Sequence, residues 1–195
     1  MNIDLLSMSS HKVYGPKGVG ALYARKVSPR VKLAEQMNGG GHERGMRSGT
    51  LNVAGIVGFG EAVKLAIQLM PEETVRLKKL RNQLFEGLQK EIEGIEMNGH
   101  PEKRLPHNLN VYMPGVEARS LLVQIKDEVA ISTGSACSTA KVEPSHVLIS
   151  LNKGKQCPFN SIRFGLGREN NKYQINRLIG NIANRILKLL KFTNI

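Results

Sequence analysis

Residues 9–20 read Ser9-Ser10-His11-Lys12-Val13-Tyr14-Gly15-Pro16-Lys17-Gly18-Val19-Gly20 and stand between two apolar runs. Residues 3–8 have the character of a buried strand, and Val19 to Ala24 that of a second one. Gly15-Pro16 marks a turn between them. A lysine beside a histidine, behind two hydroxyls and before that turn, is a set of polar groups at a fixed place. A lysine amine forms a Schiff base with an aldehyde such as that of pyridoxal phosphate. The hydroxyls of Ser9 and Ser10 and the imidazole of His11 are hydrogen-bond donors for a phosphate. Alone, such a tetrapeptide reads as a solvated turn.

Working outward, residues 38–50, NGGGHERGMRSGT, form a glycine-rich loop with two arginines and a histidine. The apolar spacing from Leu51 to Leu69 predicts a helix. A second is predicted from about Pro71 to Ile92, because proline suits a first helical position and Glu72 and Glu73 suit the positive end of the helix dipole. Leu77, Leu80, Leu84, Leu88 and Ile92 recur at three- and four-residue spacing. Gly94, Asn98, Gly99 and Pro101 break the pattern, which places a domain boundary between residues 95 and 96.

Beyond it, 108–113 alternate as a strand does. Residues 116–126 read as a helix, 128–131 as a short strand, 145–151 as a short helix and 161–166 as a strand. A terminal helix over about 172–191 carries Ile175, Leu178, Ile179, Ile182, Ile186, Leu189 and Leu190 on one side. Strands alternating with helices predict an α/β chain.

Of the 195 residues, 41% are hydrophobic and 23% charged, which fits a globular chain. No apolar run approaches the roughly 20 residues needed to cross a bilayer, and no secretory signal is visible. The terminal helix reads as docked on its own domain rather than lying on a membrane surface. The net charge is +12, but the basic residues are dispersed and aromatics make up only 5%, so direct nucleic-acid binding is not expected. Two cysteines form no disulfide framework and suit a reducing compartment. The spacing of cysteines and histidines predicts no metal site.

Cys137 lies in STGSACSTA, residues 132–140, a run of small residues of the kind that builds mobile loops. A thiolate there would reach a substrate and withdraw. Cys157 has lysines nearby but no supporting motif. Arg163, in SIRFGLGR, sits on a predicted strand and has the fork geometry that grips a carboxylate, or forms a structural ion pair.

Taken in order, these segments change the reading. SSHKVYGPKGVGALYAR resembles the cofactor-lysine segment of pyridoxal-phosphate cysteine desulfurases of the housekeeping, iron–sulfur type. NGGGHERGMRSGTLNVAGIVGFGEA resembles their glycine-rich loop and following helix, STGSACSTAKVEPSHVL their catalytic-cysteine loop, and SIRFGLGR their substrate-arginine strand. The resemblance runs from about residue 3 to 168 and is to the C-terminal half of that family. It implies the remnant of a fold-type I aminotransferase large domain over 1–95, followed by a small α+β domain over 96–195.

It also implies roles. Lys12 would hold the cofactor aldehyde and later carry the proton, and Ser9 and His11 would hold its phosphate. Thr50 would reach the phosphate of the neighbouring subunit in a homodimer. Arg163 would bind the carboxylate of L-cysteine. Cys137 would attack the substrate sulfur, release alanine and pass its persulfide to an iron–sulfur scaffold or other sulfur-acceptor protein. Family members are about twice as long. Their N-terminal half carries most of the large-domain sheet, the histidine that stacks on the pyridine ring and the aspartate that pairs with its nitrogen. That half is expected to be missing here, so activity is expected only where it is supplied. The competing expectation is a non-catalytic module that binds a scaffold or sulfur acceptor; a related selenocysteine lyase is a third. The expected compartment is the cytoplasm or an organelle matrix.

Overall fold

A computed structural model describes residues 2–133, 145–151, 154 and 157–193. The chain divides into two compact units, residues 1–71 and 72–195. The sequence reading puts the domain boundary at 95/96. The difference has a physical cause: the apolar stripe from Leu77 to Ile92 is buried in the core of the second unit, which draws those residues out of the first.

In the first unit, β1 (Leu5–Ser9) and β2 (Gly20–Ala24) pair antiparallel, with Leu6 opposite Tyr23 and Met8 opposite Ala21. At the open end of this ribbon Arg25 forms an ion pair with Asp4 at 3.2 Å and donates to the Ile3 carbonyl at 3.1 Å. The two strands were expected to be buried; instead Leu5, Leu6, Met8, Leu22 and Tyr23 are 41–57% exposed. Among the described residues the ribbon forms a two-stranded sheet. A short helical turn, α1 (His42–Gly45), follows, with Glu43 and Arg44 at positive φ.

Helix α2 (Val53–Glu91) is continuous over 39 residues, with Pro71 inside it. Two helices were expected there, the second starting at Pro71. Proline removes one N–H from the ladder but is compatible with helical φ, and strong apolar periodicity on both sides carries the helix through. By length and composition alone, α2 is apolar enough to cross a membrane: an 18-residue window has mean hydropathy 1.5. That corrects the expectation that no apolar run approaches spanning length. Glu61 and Lys64, paired at 3.4 Å, interrupt the run.

The second unit is built on a three-stranded antiparallel sheet in the order β3 (Glu96–Met97), β4 (Asn108–Tyr112), β5 (Ser161–Gly165). Helices α3 (Ala118–Ile125), α4 (His146–Ser150) and α5 (Lys172–Thr193) complete it. Leu84, Leu88, Leu109, Val111, Leu121, Ile125, Ile162, Phe164, Ile182 and Ile186 form one continuous core. The expected strand over 128–131 is absent: Val129 and Ile131 only pack against the core, and the pairing is one bridge, Ser132 with Arg163. Helix α5 is opened by a reciprocal cap, in which Asn171 accepts from the Gln174 N–H at 3.0 Å and Gln174 accepts from the Asn171 N–H at 3.2 Å.

Candidate active-site segments

Strand β1 delivers Ser9 to a tight 3-10 turn, Ser10–Val13, closed by Tyr14 in the left-handed region at φ 64°. The Ser10 N–H donates to the Val19 carbonyl at 3.1 Å, and the Gly15 N–H to the Ser10 carbonyl at 3.0 Å. Position 15 requires glycine: a Cβ there would lie 2.1 Å from Ser10 Oγ and 3.1 Å from Ala62 Cβ. The turn thus locks His11 and Lys12 side by side, both exposed, next to half-buried Ser9. Lys12 has no hydrogen-bond or ion-pair partner among the described residues. Ser10 is different. Its hydroxyl is fully enclosed and has no partner among the described residues, so of the two serines Ser9 is the one open to a ligand.

The glycine-rich loop is pinned from within by Ser48, which is buried. Its hydroxyl donates to Glu35 Oε1 at 2.6 Å and accepts from the Gly41 N–H at 3.1 Å, while its own N–H donates to the Met37 carbonyl at 3.0 Å. His42 Nδ1 accepts from the Gly49 N–H at 3.3 Å. These bonds hold the loop that ends at exposed Thr50. Sequence reading singled out Thr50 but not Ser48 or Glu35, since a serine thirteen residues from its carboxylate partner has no local signature.

Arg163 sits at the centre of β5, half-buried and opposite Asn110. Its N–H donates to the Ser132 carbonyl at 2.7 Å, the Ser132 N–H donates to its carbonyl at 3.2 Å, and Nη2 reaches Ser132 Oγ at 3.5 Å. No carboxylate pairs with it among the described residues. The segment that leads to Cys137 is therefore rooted on the arginine's own backbone; Cys137 itself lies outside the described residues. The chain after β5 is held by Arg76, which donates to the carbonyls of Asn170 at 2.6 Å and Arg168 at 2.7 Å. Arg168 in turn pairs with Glu73. That hydrogen bond, more than the charges of Arg168 and Arg76, holds the Glu73 carboxyl below its ordinary pKa against the opposing effect of burial.

The structure brings Ser9, His11 and Lys12 together on one turn. Thr50 belongs to a separate loop of the same unit, and Arg163 to the other unit. The donor set on the turn fits pyridoxal phosphate: an accessible primary amine for the aldehyde, with a hydroxyl and an imidazole beside it for the phosphate. Among the described residues no group of three or more histidine, cysteine, aspartate or glutamate side chains is placed to hold a metal ion.

Cysteine desulfurase IscS of Tolumonas auensis is 52% identical over 189 residues, which span 97% of this chain and 46% of that protein. A solved NifS-like protein superposes with a TM-score of 0.82 at 31% identity, over 95% of this chain and 47% of its own. A solved SspA, in complex with cysteine, gives a TM-score of 0.59 at 32% identity, over 85% of this chain and 44% of its own. The chain thus spans about half the length of the relatives it matches. The aminotransferase class-V family matches residues 1–178, across the lysine turn, the glycine-rich loop and the arginine strand alike, and the chain belongs to that family.

Proposed function

We propose that this chain carries the lysine, cysteine and substrate-arginine segments of a pyridoxal-phosphate-dependent cysteine desulfurase, which converts L-cysteine to L-alanine and leaves a persulfide on the protein. The observation that carries the reading is the double backbone bond between Ser132 and Arg163. It roots the segment bearing Cys137 on the residue best suited to hold a substrate carboxylate. The names of the relatives point the same way.

Ser9 and His11 would hold the cofactor phosphate, with Thr50 reaching a phosphate from its own loop, in the neighbouring subunit of a homodimer. Lys12 would hold the aldehyde through its amine and move a proton to and from the substrate α-carbon. The bound cofactor would supply an electron sink for negative charge on the α-carbon and, through it, for the pair released at the β-carbon. Arg163 orients the substrate by a two-point grip on its carboxylate. The Cys137 thiolate attacks the substrate sulfur. A sulfur–sulfur bond forms and the substrate carbon–sulfur bond breaks. Its electron pair stays with the substrate at the β-carbon, which takes a proton to become the methyl group of alanine. The outer sulfur then passes to an iron–sulfur scaffold or another acceptor protein. A reducing compartment, the cytoplasm or an organelle matrix, suits a thiol in this role.

Titration of the chain with pyridoxal phosphate should produce the visible absorption of the lysine-bound cofactor, absent in Lys12→Ala. With the rest of the family's fold supplied, L-cysteine should then give alanine and a sulfur adduct on Cys137, detected by mass spectrometry and absent in Cys137→Ala. An adduct that persists in Cys137→Ala overturns the assignment.

A second reading, a non-catalytic module, is favoured by one observation: the continuous core lies wholly beyond residue 76. Capture of a purified scaffold or sulfur-acceptor protein by the chain, unchanged in Lys12→Ala and Cys137→Ala and without alanine production, would support it.

A further inference from the structure

The three residues that end the glycine-rich loop are held by side chains rather than by secondary structure. Ser48 is anchored through its hydroxyl to Glu35 at 2.6 Å. Both backbone groups of Gly49 are taken. Its N–H donates to His42 Nδ1 at 3.3 Å, and its carbonyl accepts from Arg47 Nη1 at 3.2 Å. That carbonyl shares a planar peptide unit with the Thr50 N–H, so holding it fixes the direction in which exposed Thr50 leaves the loop. Gly49 itself stands at φ 113°, and a Cβ there would lie 3.0 Å from Arg47 Nη1.

Two acceptors of this clamp can take a proton, and they differ. Glu35 faces a hydroxyl, which accepts as well as donates, so a protonated carboxyl keeps its bond. His42 faces a backbone N–H, which only donates. Nδ1 accepts from it only while bare, which puts the ring proton on Nε2. A second proton, on Nδ1, sets two donors face to face. The ring is closely seated: a Cβ on Gly40 would lie 2.9 Å from His42 Cε1 and 3.2 Å from Nδ1. Its turn is strained, with Gly41, Glu43, Arg44 and Gly45 at φ 69°, 50°, 61° and 76°. Two of the four are not glycine, and such residues hold that region only while neighbouring bonds impose it. His42 is exposed, so protons reach it. Gly40 and Gly49, against which the ring lies, carry no charge. The other titratable or charged groups of the loop are Glu35, Glu43, Arg44 and Arg47, and none of them forms an ion pair among the described residues.

We infer that His42 is a positioning residue for Thr50 and makes phosphate binding by this loop dependent on pH: the neutral ring holds Gly49 so that Thr50 is presented, and the protonated ring releases it. Charge alone predicts the opposite. An imidazolium beside a phosphate attracts it, so a purely electrostatic role for His42 tightens binding in acid, whereas loss of the clamp loosens it. The phosphate role of Thr50 rests on the proposed function. Release of Gly49 does not, so the two succeed or fail separately.

The loop is read first, by nuclear magnetic resonance on the isotope-labelled full chain without cofactor. At about pH 8 a coupling should appear across the hydrogen bond between the Gly49 amide nitrogen and His42 Nδ1. At about pH 5 it should vanish, and the Gly49 and Thr50 amides should move along the titration curve of the ring. Amides of 109–112 should stay in place, which separates release of the loop from unfolding. Glutamine offers an acceptor oxygen that does not titrate. In His42→Gln the Thr50 amide should therefore hold one position at both pH values, and in His42→Ala it should sit at the higher pH where the parent sits at the lower. Binding is read second, with the rest of the family's fold supplied. The dissociation constant for pyridoxal phosphate is taken as the ratio of parent to His42→Gln, so that titration of the phosphate and of Lys12 cancels. That ratio should rise by about threefold or more from the higher pH to the lower. Three results overturn the role of His42: Gly49 and Thr50 amides that do not follow the ring; a His42→Gln chain with the parent's pH dependence; or a ratio that falls in acid, which leaves His42 a charge role alone. Cofactor that binds to no variant, while the loop still follows the ring, overturns the phosphate role of Thr50 and the proposed function with it, but not the clamp.

Discussion

Asn98 shows what a single residue contributes here and why the sequence conceals it. Read locally it is a turn former beside Gly99. In the fold it is buried, and its amide donates to Asn110 Oδ1 at 2.7 Å and to Ser161 Oγ at 2.9 Å, while its oxygen accepts from Cys157 Sγ at 3.5 Å. Ser161 is 63 positions away, so no spacing rule finds the pair. Asn98→Ala should lower the urea midpoint of the second unit by an amount equal to about 2 kcal/mol, since buried Ser161 and Cys157 each lose one hydrogen bond. Glu73 offers a pH-dependent counterpart. Its folded-state pKa lies below the ordinary 4.5, chiefly through the hydrogen bond from Arg168. Its contribution is therefore complete above the unfolded value and fades as pH falls through the folded one. Glu73→Gln should cost about 1 kcal/mol at neutral pH and nothing below both values, so denaturant midpoints of variant and parent should converge in acid. Lys12 and Arg163, by contrast, stand out in the sequence because the segments around them are long and ordered.

At the scale of elements, most of the pattern is legible. The strands over 108–112 and 161–165, helix α3 and the terminal helix form where apolar spacing puts them. In both misreadings the packing of the second unit overrode a local signal, a proline breaker at Pro71 and a short apolar run at 128–131. Pro71 sits inside one 39-residue helix, and residues 128–131 join the core without strand pairing. Packing also explains a glycine that propensity alone would replace. Near the C-terminal end of α2, a Cβ on Gly87 would meet Ile179 Cδ1 at 2.3 Å and Cγ1 at 3.0 Å, so two helices approach closely there. Gly87→Val should destabilise the second unit by about 1–3 kcal/mol through overpacking, despite the gain in helix propensity. Thermal melts followed by circular dichroism would read it, and Ile179→Ala in the same chain should recover part of the loss.

For the molecule as a whole, the two units are unequal. Among the described residues, Phe59 and Ala62 are the buried hydrophobic side chains of the first unit, whereas the second holds a core spread over a sheet and several helices. A two-stranded ribbon is marginal on its own in water. Unfolding of the isolated chain should therefore not be a single transition. Amides in 5–24 should exchange well before those of 109–112 and 162–164, and a coincident loss of protection would contradict the unequal distribution of core. The family was legible from sequence at this scale, because motif order survives in half a fold. The division at residue 71 was not, because where a long helix changes allegiance depends on which side chains it buries.

Cys157 gives the second unit a stopwatch. Its sulfur is almost wholly buried beneath Asn98 and Ser161, so a thiol reagent reaches it only when that corner opens. With two cysteines in the sequence, a Cys137→Ala chain holds this thiol alone. At low reagent concentration its capture rate scales with the fraction of time the corner stands open; at high concentration it levels off at the rate of opening itself. The lifetime of the closed corner can then be timed at a side chain the protein already carries.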